Sequence, residues 1–315
     1  MEQKQITPPG IWDRFLDWAV LLGFSRIGFS ARGLGSKDLP DGEGKTVVVT
    51  GATSGLGRAA ALILAQKGAE VVALGRDQKK LEALIEEAGS GIVGFTADLS
   101  SVADTRRVAE EIGASYPTID VLINNVGGLF PRQQETSEGI ELTFATNLLG
   151  QFVLTRGLLD QITAAQGRII TVSSGGMYTA ALDLGQLVKP DPYQGAAAYA
   201  QTKRAQVILN ELWADLLIGD GVVCHAMHPG WAATPGVASG LPRFARVMRP
   251  ILRTPSQGAD TMVFLALDPI AATGTGLFWH DRKPRRTHKL RRTRESPETR
   301  IRLWEVLEEW ASRIP

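Results

Sequence analysis

A glycine-rich turn between two apolar segments sets narrow limits on the fold of this chain. The β-branched run Thr46–Thr50 is typical of a buried strand, and apolar residues recur at helical spacing from Leu56 to Gln66. The turn between them reads Thr-Gly-Ala-Thr-Ser-Gly-Leu-Gly over residues 50–57. A strand, a tight turn and a helix in this order predict the first unit of an α/β domain with a parallel sheet.

The same alternation of short apolar runs and helical runs continues along the chain. Further strands are predicted at Glu70–Leu74, Ile92–Thr96, Val121–Asn124, Arg168–Val172 and Val222–Met227. Further helices are predicted at Asp77–Ala88, Val102–Ser115, Glu141–Leu159 and Ala197–Leu217. Strands that are apolar without alternation are covered on both faces. The fold class is therefore α/β: a Rossmann-type doubly wound parallel sheet with helices on both faces.

The sequence shows no internal repeat and no second core, so we expect a single domain with N- and C-terminal extensions. Residues 1–43 should form an amphipathic helix, Ile11–Phe29, and a Gly- and Pro-rich linker. Residues 44–280 should form the Rossmann domain. Residues 281–315 should form a basic segment and a second amphipathic helix, Ile301–Trp310. Residues 281–300 contain nine Lys or Arg and three Asp or Glu, which gives a local net charge of about +6. Such a charge is typical of a solvated, partly flexible extension.

Composition excludes several classes of function. A net charge of +1 gives no support for nucleic-acid binding. One cysteine, Cys224, excludes an internal disulfide, and the four histidines have no metal-ligand spacing, so no metal site is expected. The segment Trp18–Phe24 is too short to span a bilayer, and no signal-peptide pattern is found. We expect a cytoplasmic protein, and peripheral membrane contact through the aromatic N-terminal helix and the basic segment stays open as an alternative.

The glycine turn also predicts a ligand. Gly51 permits the turn, Gly55 lets the backbone approach a pyrophosphate, and Gly57 lets the helix pack closely against the sheet. Free amides and the dipole at the helix N-terminus favour an anion there. The turn therefore predicts a dinucleotide-binding loop, of which Thr53, Ser54 and Leu56 are also part.

Arg76 bears on which dinucleotide is bound. It follows the second predicted strand, where the adenosine ribose would lie. An arginine there accommodates the 2′-phosphate of NADP, whereas an acid binds the 2′-hydroxyl of NAD. NADP is therefore the favoured cofactor, and Asp77 leaves NAD open.

Tyr199 and Lys203 lie four residues apart on a predicted helix and so share one face. A lysine ammonium beside a phenol lowers the pKa of the tyrosine from its usual value of about 10. Such a tyrosine can donate or accept a proton. By itself, however, this pair is more often an exposed Tyr and Lys on a helix surface.

The pair is accompanied by other motifs in a fixed order. They are the glycine turn, Asp98, Asn124-Asn125-Val126-Gly127, Asn147, Ser173-Ser174 and Pro229-Gly230. In this order and spacing, the chain resembles the short-chain dehydrogenase/reductase family over about Lys45–Phe278. Five stretches resemble one subfamily of it more closely, with the retinol-dehydrogenase-like enzymes next nearest: Val172–Met177, Met227–Ala232, Thr234–Val237, Gln257–Met262 and Asp281–Pro284.

The resemblance implies a role for each motif. Ser174 would bind the substrate oxygen, with Ser173 as the fallback, Tyr199 would be the acid/base and Lys203 would hold the nicotinamide ribose. Asn147 would anchor a water of the proton relay, and Asn124 would support the cofactor and the sheet. The implied cofactor contacts are the glycine turn, Arg76, Asp98 at the adenine, Leu99, Asn125, Gly127, Tyr199, Lys203, Pro229, Gly230 and Thr234 at the nicotinamide amide.

Departures from the family pattern concern the substrate side. Val126 stands where the family usually has Ala, and Ala233 replaces an expected Asp, but neither change removes a reacting group. A 24-residue interval separates Ser174 from Tyr199, and it resembles the extra loop of the retinol-dehydrogenase-like branch. The loop after Thr234 carries the apolar residues Val237, Leu241, Phe244, Val247 and Met248, which fit either an apolar substrate pocket or the ordinary packing of a lid.

These features predict a NADP-dependent oxidoreductase that acts on a small apolar alcohol or carbonyl compound. A non-catalytic cofactor-binding scaffold and a peripheral membrane regulator are the alternatives. Resembling enzymes dimerise through two long helices, which here correspond to Glu141–Leu159 and Ala197–Leu217, so a homodimer through these surfaces is a further expectation.

Overall fold

The computed structural model describes residues 6, 10 and 20–314, and its centre is an eight-stranded sheet. The strands lie in the order β3-β2-β1-β4-β5-β6-β7-β8, and all neighbours are parallel except the antiparallel pair β7–β8. Their bounds are β1 Thr46–Thr50, β2 Glu70–Gly75, β3 Ile92–Thr96, β4 Val121–Asn124, β5 Arg168–Val172, β6 Val223–Met227, β7 Leu277–His280 and β8 Lys283–Arg285. The α/β, doubly wound class predicted from the sequence is confirmed.

Helices cover both faces of this sheet. They are α1 Val20–Gly23, α2 Arg26–Ala31, α3 Gly55–Gln66, α4 Gln78–Ala88, α5 Val102–Ser115, α6 Leu142–Phe144, α7 Gly150–Gly157, α8 Leu159–Ala164, α9 Leu184–Val188, α10 Gly195–Leu217, α11 Pro235–Gly240, α12 Pro242–Met248, α13 Pro255–Leu267 and α14 Pro297–Arg313. A π-helical turn, Ala145–Leu149, joins α6 to α7, and a 3-10 helix, Gly175–Thr179, follows β5. Residues 11–19 of the predicted helix Ile11–Phe29 lie outside the described residues, and the rest of it forms two short helices, α1 and α2, instead of one.

The alternation of side chains along each strand divides the core into two layers. Val48 of β1 belongs to the layer formed with α5, α7, α10 and α14. Val47 and Val49 belong to the opposite layer, formed with α3, α4 and α13. The chain adds β2 and β3 on one side of β1 and then returns to add β4, β5 and β6 on the other side. The crevice at the carboxyl ends of β1 and β4 is therefore where a ligand is expected in such a fold.

The helix predicted as one piece over Glu141–Leu159 is not continuous. The π-helical turn interrupts it after α6, and a break near Leu158 separates α7 from α8. Close packing explains the position of Gly150 in this region, because a Cβ there would lie 1.9 Å from the carbonyl oxygen of Leu99. Periodicity alone does not distinguish a π-helical turn from an α-helix of the same length.

The basic segment is only partly the solvated extension that composition suggested. The sheet continues past residue 280 into β8, and Asp281 lies buried in the turn between β7 and β8. The Asp281 carboxylate pairs with the guanidinium of Arg253 at 2.6 Å, and the side chain of Arg32 reaches it at 2.7 Å. Composition could not show this, because buried ion pairs depend on contacts between distant parts of the chain.

The C-terminal helix α14 is longer than the predicted Ile301–Trp310, and it packs on the domain. Trp304 contacts the rings of Phe152 on α7 and Trp213 on α10, with centroids 5.3 Å and 4.7 Å away. Trp310 contacts Phe144 edge-on at 6.1 Å. Helix α14 therefore covers part of the surface through which the homodimer was expected to form.

Among residues 6, 10 and 20–314, no helix is both long and apolar enough to cross a membrane.

Candidate active site

The glycine turn forms an open helix N-terminus beneath a large cavity. Gly51 and Gly55 have φ values of +65° and +53°, which side chains disfavour. Ser54 precedes α3 without a capping bond from its side chain, so the first amides of the helix are left for a ligand. At Gly57 a Cβ would lie 2.3 Å from the carbonyl oxygen of Gly51, which makes glycine obligatory for this close packing.

The cavity has a volume of about 870 Å³ and follows the carboxyl ends of the central strands. It brings most of the sequence-predicted site together. The predicted residues that line it are Gly51, Thr53, Ser54, Gly55, Leu56, Arg76, Asp98, Leu99, Asn125, Gly127, Ser173, Ser174, Tyr199, Lys203, Pro229, Gly230 and Thr234. Gly57 and Asn147 lie behind this lining.

Arg76 and Asp77 differ in how they face the cavity. Arg76 is exposed at its edge, immediately after β2. The Asp77 carboxylate caps α4 by accepting a hydrogen bond from the backbone N–H of Lys80 at 3.2 Å. The geometry thus leaves the guanidinium available for a ligand while Asp77 is engaged in capping.

Tyr199 and Lys203 both project from α10 into the cavity. The Lys203 ammonium donates to the carbonyl oxygen of Val172 at 3.0 Å and lies 5.5 Å from the centroid of the Tyr199 ring. Burial lowers the pKa of Lys203 to about 7. Burial raises the pKa of Tyr199, and a hydrogen bond with Ser174 opposes that rise.

The two serines after β5 have different environments. The Ser173 hydroxyl is buried and donates to the carbonyl oxygen of Lys203 at 2.8 Å. The Ser174 hydroxyl lines the cavity, accepts from the backbone N–H of Gly176 at 3.2 Å and forms a hydrogen bond with Tyr199. The geometry therefore favours Ser174 as the hydroxyl that meets a substrate.

Asn147 lies on the π-helical turn behind the cavity. Its amide accepts from the backbone N–H of Gly128 at 2.8 Å and donates to the Gly128 carbonyl and to Thr202, both at 3.0 Å. The backbone carbonyl of Asn147 accepts a hydrogen bond from the side-chain amide of Gln206 at 2.6 Å. Asn147 thus fastens the Gly127–Gly128 backbone to α10, and the predicted water-anchoring role stays a prediction.

Two further predicted residues support the cavity. The Asn124 amide donates to the hydroxyl of Thr155 on α7 at 2.9 Å, which ties β4 to that helix. Asp98 is exposed at the cavity edge, where one carboxylate oxygen accepts from the N–H and the hydroxyl of Ser100 at 2.9 and 2.7 Å. The Asp98 carboxylate therefore keeps its second oxygen for a ligand.

The substrate half of the cavity is apolar. Val237, Leu241 and Phe244, which sequence reasoning selected, line it, whereas Val247 is 75% exposed and faces away. Sequence reasoning missed other apolar lining residues, namely Leu129, Phe130, Leu142 and Trp231. Trp231 lies within the motif Met227–Ala232, but its side chain is placed by ring contacts with Phe24 and Phe244, which the motif does not show.

Two buried histidines lie within β6 and just beyond its end. His225 is buried, and its Nε2–H donates a hydrogen bond to the carbonyl oxygen of Ala271 at 2.8 Å. His228 is buried behind Ser174 and accepts from the backbone N–H of Gly175 at 3.0 Å. In the described part of the chain no group of His, Cys, Asp and Glu is arranged to hold a metal ion.

Residues 45–241, from β1 through the cavity-lining segment α11, match the family model described as short chain dehydrogenase. This chain is a short-chain dehydrogenase/reductase. The match includes the glycine turn, Ser174, Tyr199 and Lys203, which the structure gathers around one cavity. The family assignment made from the motifs is confirmed.

Two curated relatives cover most of the chain. Dehydrogenase/reductase SDR family member 12 of Bos taurus is 39% identical over 280 residues, which are 86% of this chain and 87% of the relative. Retinol dehydrogenase 14 of Mus musculus is 32% identical over 262 residues, 76% and 78% of the two chains. The first confirms the likeness to SDR family member 12 that the motifs Met227–Ala232 and Asp281–Pro284 indicate.

Two solved structures share the fold. One, from Beutenbergia cavernae, is described as a NAD(P)-dependent gluconate 5-dehydrogenase with bound NADP at low occupancy. It is 31% identical, has a TM-score of 0.62 and covers 76% of this chain and 95% of its own. The other is 3-ketoacyl-(acyl-carrier-protein) reductase from Brucella melitensis with NADH, at 26% identity, a TM-score of 0.61 and coverages of 75% and 96%. Neighbours thus carry either nicotinamide cofactor.

Proposed function

We propose that this protein is a NADP-dependent oxidoreductase that transfers a hydride between the cofactor and a small apolar alcohol or carbonyl compound. The observation that carries the proposal is the convergence of Ser174, Tyr199 and Lys203 on one cavity whose other end is an open helix N-terminus. A phosphate-binding end and a proton-transferring end in one cleft are what such a reaction requires.

The residues present fit a dinucleotide. At Gly51 a Cβ would meet the Asn125 amide nitrogen at 3.1 Å, and at Gly127 it would meet the Lys203 ammonium at 3.0 Å. A side chain at either position would displace a polar group that lines the cavity, so glycine keeps Asn125 and Lys203 where a ligand can reach them. When bound, the cofactor supplies or accepts the hydride. The residues that would hold it are the glycine turn, Arg76, Asp98, Leu99, Asn125, Gly127, Pro229, Gly230 and Thr234.

Tyr199 would hold the proton that reaches the carbonyl oxygen during reduction and would take it back during oxidation. The Ser174 hydroxyl, bonded to Tyr199, would orient that oxygen. The buried Lys203 ammonium would stabilise the phenolate after the proton leaves, since a nearby positive charge favours the charged form of a phenol. Asn147 would keep the Gly127–Gly128 backbone and α10 in register beside these groups.

NADP is proposed over NAD because of Arg76. Its guanidinium is exposed at the cavity edge after β2, whereas the Asp77 carboxylate is engaged at the start of α4. A guanidinium can bind a 2′-phosphate through two hydrogen bonds at once. NAD stays the alternative because the Asp77 carboxylate is only partly buried, although its second oxygen lies 3.6 Å from the ammonium of Lys80.

An apolar substrate is proposed from the lining of the cavity near Tyr199. Phe130, Trp231 and Phe244 offer aromatic surface there, and in the described chain the only charged residues that line the cavity are Arg76, Asp98 and Lys203. A curated relative named retinol dehydrogenase makes all-trans-retinal a first compound to try.

The test begins with fluorescence titrations of the purified protein with NADPH and NADH in parallel. Selective binding of NADPH supports the proposal, and preference for NADH moves the cofactor assignment to Asp77. A panel of apolar aldehydes and ketones, including all-trans-retinal, is then followed at 340 nm. If neither cofactor binds, the enzyme hypothesis fails. The non-catalytic scaffold is then the better hypothesis, provided that another ligand is found.

Peripheral membrane contact is the alternative location to the cytoplasm. Leu22 and Ile27 of the N-terminal segment are 38% and 46% exposed, which gives this alternative some support. Sedimentation with vesicles of phosphatidylserine and phosphatidylcholine separates the two, because a cytoplasmic protein stays in the supernatant.

A further inference from the structure

The backbone that follows Ser174 rests on a buried imidazole. The N–H of Gly175 donates to Nδ1 of His228 at 3.0 Å, and His228 is 2% exposed. Because Nδ1 accepts this bond, the ring proton must lie on Nε2. Burial lowers the pKa of His228 well below its usual value, so the ring stays neutral and keeps its accepting nitrogen.

The turn at Gly175 has no room to move toward this ring. A Cβ at Gly175 would lie 2.8 Å from the ring of Phe24 and 3.0 Å from Nε2 of His228. Phe24, which lies between α1 and α2, meets the imidazole edge-on with 4.3 Å between centroids. A residue of the N-terminal segment therefore packs directly behind the active-site turn.

The His228 ring is itself held from behind. It stacks on His280, with centroids 4.8 Å apart and an interplanar angle of 23°, and Nδ1 of His280 lies 3.0 Å from the carbonyl oxygen of His228. Beyond His280 lie Asp281 and Arg253, which form a buried ion pair. These contacts leave the imidazole one orientation, with Nδ1 toward Gly175.

Ser174 is consequently fixed on both sides. The N–H of Ser173 donates to the carbonyl of Met227 at 2.8 Å, and the N–H of Gly175 donates to His228, the next residue after Met227. Both neighbours of Ser174 are thus fastened to the end of β6. We propose that His228, supported by Phe24, is a positioning residue that aims the Ser174 hydroxyl at the substrate oxygen and Tyr199.

This inference rests on the proposed function, because it assigns His228 a role that acts through Ser174. A shift of about 1 Å in an active-site group can cost roughly a hundredfold in rate. His228→Leu removes the acceptor while keeping apolar volume. His228→Asn restores an acceptor, because its side-chain oxygen can take the place of Nδ1 opposite Gly175.

The decisive experiment is a double-mutant cycle with Ser174→Ala, measured as kcat and KM with NADPH and the carbonyl that the wild-type protein reduces fastest. His228→Leu alone should lower kcat about tenfold or more, with NADPH affinity changed less than about twofold. In the Ser174→Ala background the same substitution should have almost no further effect, because contacts that act through one group are not additive. His228→Asn should restore most of kcat.

His225→Leu is the matched control, because His225 is as deeply buried and lies on β6, three residues before His228, but hydrogen-bonds to Ala271 instead of the active-site turn. It should lower the melting temperature without lowering kcat. If His228→Leu lowers kcat by the same factor in the wild-type and the Ser174→Ala backgrounds, the inference is overturned and the proposed function stays intact. If His228→Leu does not fold, Phe24→Leu takes its place in the cycle. A wild-type protein that reduces no carbonyl of the panel would overturn both proposals.

Discussion

The ammonium of Lys203 lies 5.5 Å from the centroid of the Tyr199 ring, one helical turn along α10 from it. Burial lowers the pKa of Lys203 to about 7 and raises that of Tyr199, so it disfavours the ionised form of both side chains. This arrangement suits a site in which Tyr199 gives up or takes a proton once a cofactor and a substrate are bound.

Tyr199→Phe should abolish turnover and leave NADPH binding nearly unchanged. Removal of a general acid/base group costs about 10²- to 10⁴-fold in rate, whereas the ring itself is kept. Steady-state rates and a fluorescence titration measure the two effects. Tyr116→Phe is the control, because that hydroxyl bonds to Glu70 away from the cavity. Turnover that survives Tyr199→Phe would show that another group carries the proton.

Arg76→Ala should weaken NADPH binding by about tenfold or more, which corresponds to about 1.4 kcal/mol, and should affect NADH far less. The reason is that only NADPH has a 2′-phosphate for the guanidinium. Lys79→Ala removes the same charge from the neighbouring helix α4 without touching the cavity lining, and should change neither affinity strongly. Equal losses for both cofactors after Arg76→Ala would indicate a structural arginine.

The protein should be a monomer in solution, contrary to the expectation of a homodimer through the two long helices. Helix α14 already packs on both, and ion pairs such as Arg300 with Glu211 hold it there. Size-exclusion chromatography with light scattering gives the mass, for which 33.9 kDa is expected. A mass near twice that value would mean that a dimer forms through another surface or displaces α14.

Leu307→Ala should destabilise the protein by about 2–5 kcal/mol, because Leu307 of α14 is fully buried in the core layer. Ile301→Ala on the same helix should cost less than about 0.5 kcal/mol, since that side chain is 60% exposed. Urea unfolding compares the two. Similar small effects would show that α14 is not part of the folded core.

Stability should decrease as the pH falls from about 6.5 to about 4. Burial lowers the pKa of both His225 and His280 to about 4, so in this window the unfolded chain binds protons that the native protein does not. The charged partners of Asp281 hold its pKa below the usual range. Its contribution to the free energy of unfolding is therefore lost only below about pH 4. His225→Leu should flatten the dependence between pH 6.5 and 4 in urea titrations. An unchanged slope would mean that His225 does not titrate there.

The sequence by itself determined the α/β class, the glycine turn and the shared helix face of Tyr199 and Lys203, whereas the other predicted residues of the cleft came from the resemblance to the family. Short apolar strands need cover on both faces, and the glycines of residues 51–57 permit a backbone that other residues disfavour. The spacing of Tyr199 and Lys203 on one helix face likewise follows from helix geometry. These are local properties, which is why periodicity and motif spacing were sufficient to predict them.

Only the tertiary structure decided the rest. The choice between Ser173 and Ser174 depends on which hydroxyl the carbonyl of Lys203 engages, and the burial of Asp281 depends on Arg253 and Arg32. The placement of Phe24 behind the active-site turn, and of α14 over the long helices, joins segments far apart in the chain. Such contacts are set by packing between distant residues, a property that no local pattern of apolar and polar residues encodes.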